Sequence, residues 1–122
     1  MVRKPLPKLN SHTLPWHTDW DAIFGRSAPI ILEIGFGYGQ FIEYLQRTYP
    51  DHNIIGVEVY NACLDKVENM IEKRGWDNVR VVFARAETAL RHLFLPESIS
   101  QIHINFPDPW FKSRHAGRRL MK

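Results

Sequence analysis

Ile30, Ile31, Leu32, Glu33, Ile34, Gly35, Phe36, Gly37, Tyr38 and Gly39 follow one another as an apolar run that breaks into a loop with glycine at every second position. A run this apolar, with Glu33 as its one charged residue, reads as a buried strand, and the glycines stop it. Phe41, Ile42, Leu45 and Tyr49 then fall at helical spacing, and Pro50 ends that helix. Ile54, Ile55, Gly56 and Val57, closing with Glu58 and Val59, form a second strand. Cys63, Val67, Met70 and Ile71 share a helix face that Gly75 terminates. Val79, Val81, Val82 and Phe83 make a third strand, and Ala86, Ala89, Leu90 and Leu93 mark a short helix. Ile102, Ile104 and Phe106 make a fourth strand that runs into Pro107. Strands alternating with helices imply parallel pairing, because each crossover needs a helix to return the chain to the same edge. The expectation is an open, mostly parallel α/β sheet of Rossmann-like type. Its ligands would gather beyond the carboxyl ends of the strands, in the loops after Ile34, Val57, Phe83 and Phe106.

Upstream of this pattern the character changes. Residues 1–28 hold Pro5, Pro7 and Pro15 with little periodicity and read as an arm, while 29–122 form the domain proper. Trp16, Trp20, Ile23 and Phe24 are too apolar to leave in water, so the arm is expected to pack back on the domain. The 122 residues suit one modest core. No apolar run is long enough to span a membrane, and the start lacks the apolar stretch of a secretory signal, so a cytoplasmic location is expected. The single cysteine, Cys63, follows the buried stripe of its helix and reads as a small core residue. Nothing in the composition separates a monomer from a homodimer.

The glycine loop carries chemical information. Its glycines permit a tight turn and let a ligand approach the backbone with no Cβ in the way. A dinucleotide fingerprint wants its third glycine where this chain has Gln40. Glu33, beside the loop, would repel a pyrophosphate and attract the ammonium and sulfonium of S-adenosylmethionine. Glu58, at the end of the second strand, stands where nucleotide-binding folds place an acid that accepts the ribose hydroxyls. A tight turn serving structure alone is the competing reading of the loop; the two glutamates weigh against it.

The net charge of +3 is small, yet its distribution is uneven. Arg3, Lys4 and Lys8 open the chain, and Lys112, Arg114, Arg118, Arg119 and Lys122 close it, with the acids held between. That asymmetry fits a polyanionic partner; solvated termini are the plainer alternative. After the fourth strand come Asn105, Phe106, Pro107, Asp108, Pro109 and Trp110, where a methyl acceptor would meet the cofactor. The two prolines hold the Asp108 carboxylate in place, and Trp110 can either stack on a base or cover a core edge. The cations that follow put phosphate-binding groups next to this centre, which favours nucleic acid.

The run Phe106–Arg119, FPDPWFKSRHAGRR, resembles the signature of the tRNA (guanine-N7-)-methyltransferases, and Leu32–Gly39, LEIGFGYG, is similar to that family's cofactor loop. The resemblance implies an S-adenosylmethionine-dependent methyltransferase fold of which this chain holds the first four strands. It implies cofactor contacts from Glu33, Gly35, Gly37, Gly39 and Glu58, with Asp108 as the active-site carboxylate and tRNA as partner. By the same resemblance Lys112 contacts the target guanosine, and Arg114, His115, Arg118 and Arg119 face the tRNA. The family commonly has Asp or Asn near the adenine, where this chain has Arg85, so the Ala86 amide and Glu87 are the candidates there. An adenine amino methyltransferase is the enzymatic rival, and a non-catalytic cofactor- or RNA-binding fragment is the reading from another class. A dehydrogenase is disfavoured by Gln40 and Glu33. His12, His17, His52, His92, His103 and His115 show no metal-ligand spacing, so no metal is expected. His103, between Ile102 and Ile104, reads as a sheet residue.

Overall fold

Branched apolar residues dominate Ile30–Ile34, Asn53–Glu58 and Val79–Phe83, and in the computed structural model, which describes residues 8–105, these form strands β2, β3 and β4. Ile99–Ile104 forms β5. A fifth strand, β1, comes from Leu9–Asn10. All the pairings are parallel, in the order β1, β4, β3, β2, β5. The expected sheet is therefore present with one strand more than the apolar runs disclose. The addition is short, and it lies in the segment whose prolines suggest no regular element.

The helices follow the spacing of their apolar residues. Helix α2, Gln40–Thr48, buries Ile42 and Leu45, and α3, Asn61–Arg74, buries Cys63, Leu64, Val67 and Ile71. Gly75 closes α3 in the left-handed conformation that its missing Cβ permits. These two helices cover one face of the sheet, where they enclose Ile31, Ile54, Val79 and Val81. On the other face lie α1 (Trp20–Phe24), α4 (Ala86–Thr88) and a π-helical turn, Ala89–Leu93, packed on Ile30, Leu32, Ile34, Ile55, Val57 and Val82.

Trp20 and Phe24 of the opening segment are built into this second core, with Ile23 packed against it, whereas Trp16, expected to be covered, is 71% exposed and only stacks its ring on that of His92 at 4.1 Å. Trp20 is buried, its ring lies 5.4 Å from that of Phe94, and its Nε1–H donates to the Leu93 carbonyl at 2.8 Å. Asp19 caps α1 by accepting from the Ala22 amide. Arg26 ties the segment to the sheet by donating to the Asn53 side chain at 2.9 Å and to the carbonyls of Pro50 and His52. His103 lies within β5 and Cys63 within the core of α3, as their patterns suggest. Among the described residues no helix is long and apolar enough to cross a membrane.

Replacing Trp20 with Ala removes a buried indole, and the expected loss of unfolding free energy is about 3–5 kcal/mol. Trp20→Phe, which leaves the Leu93 carbonyl unpaired, is expected to cost about 1–2 kcal/mol. Urea unfolding followed by circular dichroism measures both; a loss below about 1 kcal/mol for Trp20→Ala would detach this segment from the core.

Candidate functional site

From β2 the chain steps to β3 and then β4, and β5 returns to the other side of β2. The direction of winding thus reverses between β2 and β5, and a crevice opens there at the carboxyl ends of the strands. The glycine loop enters this crevice. Gly35 has φ +76°, and a Cβ on it would stand 2.2 Å from the Asn105 carbonyl oxygen, so no side chain fits. Its amide donates to the Val57 carbonyl, while the Asn105 amide donates to the Ile34 carbonyl, so the end of β2 is tied to both neighbours. Gly37, at φ +60°, turns its amide to Glu58 and donates to Oε2 at 3.0 Å. Gly39 precedes α2 where a Cβ would press on Val67 of α3. Phe36 folds inward and is buried, in space left by Gly56: a Cβ on that glycine would lie 2.7 Å from the Phe36 ring.

The two glutamates differ in environment. Glu58 is buried and has partners for both oxygens, Oε2 with the Gly37 amide and Oε1 with the Val59 amide. Glu33 is 0% exposed, and neither carboxylate oxygen has a hydrogen-bond partner. Burial, with a smaller contribution from the Glu58 charge, pushes its pKa up to about 7. A buried carboxyl without a partner is costly unless a ligand supplies one, and a cation supplies the most.

Ala86 and Glu87 follow β4, one strand beyond Glu58, with Ala86 half-buried and Glu87 exposed. The Ala84 amide donates to the Glu58 carbonyl and joins the two strand ends. On the opposite side of the loop, Phe36, Gly37, Tyr38, Gln40, Phe41 and Asn105 line a half-open cleft of about 480 Å³. The glycine spacing reveals the loop but not this cleft, because Phe41 comes from α2 and the far side from Asn105, just past the end of β5. Tyr38 is 60% exposed, with the Lys66 ammonium 5.5 Å from its ring centre. Asp108, Lys112, Arg114, His115, Arg118 and Arg119 lie outside the described residues. Among the described residues no group of three or more His, Cys, Asp and Glu is placed to hold a metal ion.

The fold of this chain, a parallel sheet with the glycine loop at its switch point, is shared with solved methyltransferases. A solved antibiotic-related methyltransferase superposes with a TM-score of 0.63 at 21% identity, covering 99% of this chain and 60% of that one. A 30S ribosomal A1408 methyltransferase from an uncultured bacterium gives 0.59 at 15% identity, over 84% of this chain and 52% of its own. Residues 27–122 match the family described as "Putative methyltransferase", and the chain belongs to that family. Curated relatives are named tRNA (guanine-N(7)-)-methyltransferase. The protein from Burkholderia vietnamiensis is 44% identical over 90% of this chain and 42% of its own length. Those from Cupriavidus necator and Thermus thermophilus are 38% and 41% identical, over 95% and 88% of this chain. The chain spans less than half the length of these relatives.

Because the folded protein raises the pKa of Glu33 above its ordinary 4.5, the native state holds this proton more tightly than the unfolded chain does. That contribution to stability is complete below about pH 4.5 and is lost as pH rises through about 7, a change of about 3 kcal/mol. Glu33→Gln is expected to remove this part of the decline, so that the variant is more stable than the parent at pH 8. Denaturant melts of ligand-free protein at pH 5, 6.5 and 8 test it, and parallel curves for the two proteins would show that Glu33 ionises normally.

Proposed function

We propose that this chain carries the cofactor half of an enzyme that transfers a methyl group from S-adenosylmethionine to N7 of a guanine in tRNA. The observation that carries the reaction is the 44% identity, across 90% of the chain, to relatives bearing that activity in their name. The unpartnered buried carboxylate of Glu33 supports the cofactor, since a sulfonium compound with an ammonium group fits an orphaned anion beside bare backbone. When bound, that cofactor supplies an electrophilic methyl group on a positively charged sulfur.

The protein's own groups have distinct tasks. Glu33 would hold the cationic end, and Glu58, already anchored to the loop through the Gly37 amide, would accept from the ribose hydroxyls. Gly35, Gly37 and Gly39 keep side chains off the loop, and Ala86 and Glu87 would border the adenine. The guanine N7 lone pair is free, so attack on the methyl carbon needs no general base. Alignment of nucleophile and carbon, with electrostatic compensation as positive charge passes to the purine, carries the rate. Asp108 is assigned to orient the guanine or favour its developing cation, with Lys112 at the target nucleoside. Arg114, His115, Arg118 and Arg119 would engage tRNA phosphates. In this reading residues 1–28 are an arm, 29–122 form the methyltransferase unit, and the protein works in the cytoplasm where tRNA is processed.

Asp108→Ala in the intact enzyme is expected to lower the rate of 7-methylguanosine formation far more than S-adenosylmethionine affinity. Single-turnover assays beside calorimetric titration separate the two, and equal losses would remove Asp108 from the reacting centre. Arg118→Ala and Arg119→Ala are expected to weaken tRNA binding with little sequence dependence. Each would flatten the logarithmic salt slope by a little less than about one unit. An unaltered slope would make these arginines a solvated face.

A further inference from the structure

The cleft between the glycine loop and the end of β5 has one wall that the assignments above leave without a task. Phe41 stands in the first turn of α2 and faces the cleft with Phe36, Tyr38, Gln40 and Asn105. Its ring is held from two sides. Tyr44, three residues along the helix, lies nearly parallel to it with centroids 5.4 Å apart and an interplanar angle of 16°. His103 of β5 meets it edge-on at 4.9 Å and 68°, and the His103 ring is itself hydrogen-bonded to the Gln101 side chain at 3.0 Å. An aromatic ring held by two such contacts has a fixed orientation where it lines the cleft.

The described residues lining the cleft are all uncharged, with the Tyr38 hydroxyl and the amides of Gln40 and Asn105 as their hydrogen-bonding side chains. A phosphate or carboxylate ligand would find no counter-charge from these residues. A flat, uncharged heteroaromatic would find a stacking surface and amide groups for its edge. Position supports the same conclusion. Glu58 and the β4 end lie on one side of the loop, and the cleft lies on the other, at the side of β5. A nucleoside bound toward Glu58 leaves this side for the second reactant.

We propose that Phe41 is the stacking wall of the acceptor pocket, against which the purine to be methylated lies, and that His103 is a positioning residue that holds the Phe41 ring. This rests on the function proposed above. The test compares the intact enzyme with Phe41→Ala, Phe41→Leu, Phe41→Tyr and His103→Leu. Measured for each are 7-methylguanosine formation in tRNA, S-adenosylmethionine affinity by calorimetry, and thermal unfolding. A lost base stack predicts a fall in kcat/KM for tRNA of about 10- to 100-fold in Phe41→Ala. Phe41→Leu, which keeps apolar bulk and so the fold, is expected to fall nearly as far, while Phe41→Tyr retains activity within about threefold. His103→Leu is expected to lose less than Phe41→Leu, and in kcat/KM for tRNA rather than in cofactor affinity. Cofactor affinity that drops in step with activity in Phe41→Leu would assign the cleft to the cofactor and overturn the proposal, as would unchanged kinetics in a stable Phe41→Leu protein. If the parent enzyme makes no 7-methylguanosine at all, the function itself fails, which is a different result from an active parent insensitive to Phe41.

Discussion

At the tip of β2 two backbones meet with no space for a side chain. The Asn105 carbonyl oxygen stands where a Cβ on Gly35 would have to go, and main-chain bonds from the same region tie β2 to Val57 on one side and Asn105 on the other. The rest of the site follows from this approach. It fixes the height at which β5 ends beside β2. It also obliges the loop to leave in a left-handed conformation, which presents the Gly37 amide to Glu58. An alanine at position 35 would part β2 from β5 as well as strain the turn.

Around that contact the two acids divide the electrostatics. Glu58 is satisfied by the protein, so its charge is fixed in place and serves the loop whether or not a ligand is present. Glu33 is left unsatisfied within the sheet, and the nearby negative charge of Glu58 adds to the cost of ionising it. One carboxylate therefore builds the site, and the other leaves a demand that the protein does not meet. This asymmetry distinguishes the arrangement from a merely tight turn, for which an apolar residue at position 33 would serve better.

Much of this was legible in the amino-acid order. Strands β2 and β3 are buried throughout and β4 largely so, and they read from their clustered branched apolar residues, while α3 shows its apolar stripe and its closing glycine because both have local causes. Glu33 and Glu58 are also identifiable, one beside the glycines and one at the next strand end. What sequence could not supply depends on residues far apart along the chain. Leu9–Asn10 is too short to carry a pattern, and it becomes a strand only because β4 offers it an edge. Gly56 reads as an ordinary strand glycine until the Phe36 ring is seen to occupy its missing side chain. Phe41 looks like one more apolar helix position, and its contact with His103 joins elements separated by most of the domain. The residues from Phe106 onward, which carry the most specific motif, lie outside the described structure, so their roles rest on sequence alone.

The isolation of Glu33 makes the medium a participant in recognition. With a pKa pushed up to about 7, the Glu33 carboxyl near neutrality is a mixture of acid and anion. A positively charged ligand held by Glu33 as proposed would pair with the anionic form alone, so it and the proton would be rivals for one seat. Mild acidification would then act as a competitive antagonist without altering a single contact in the crevice.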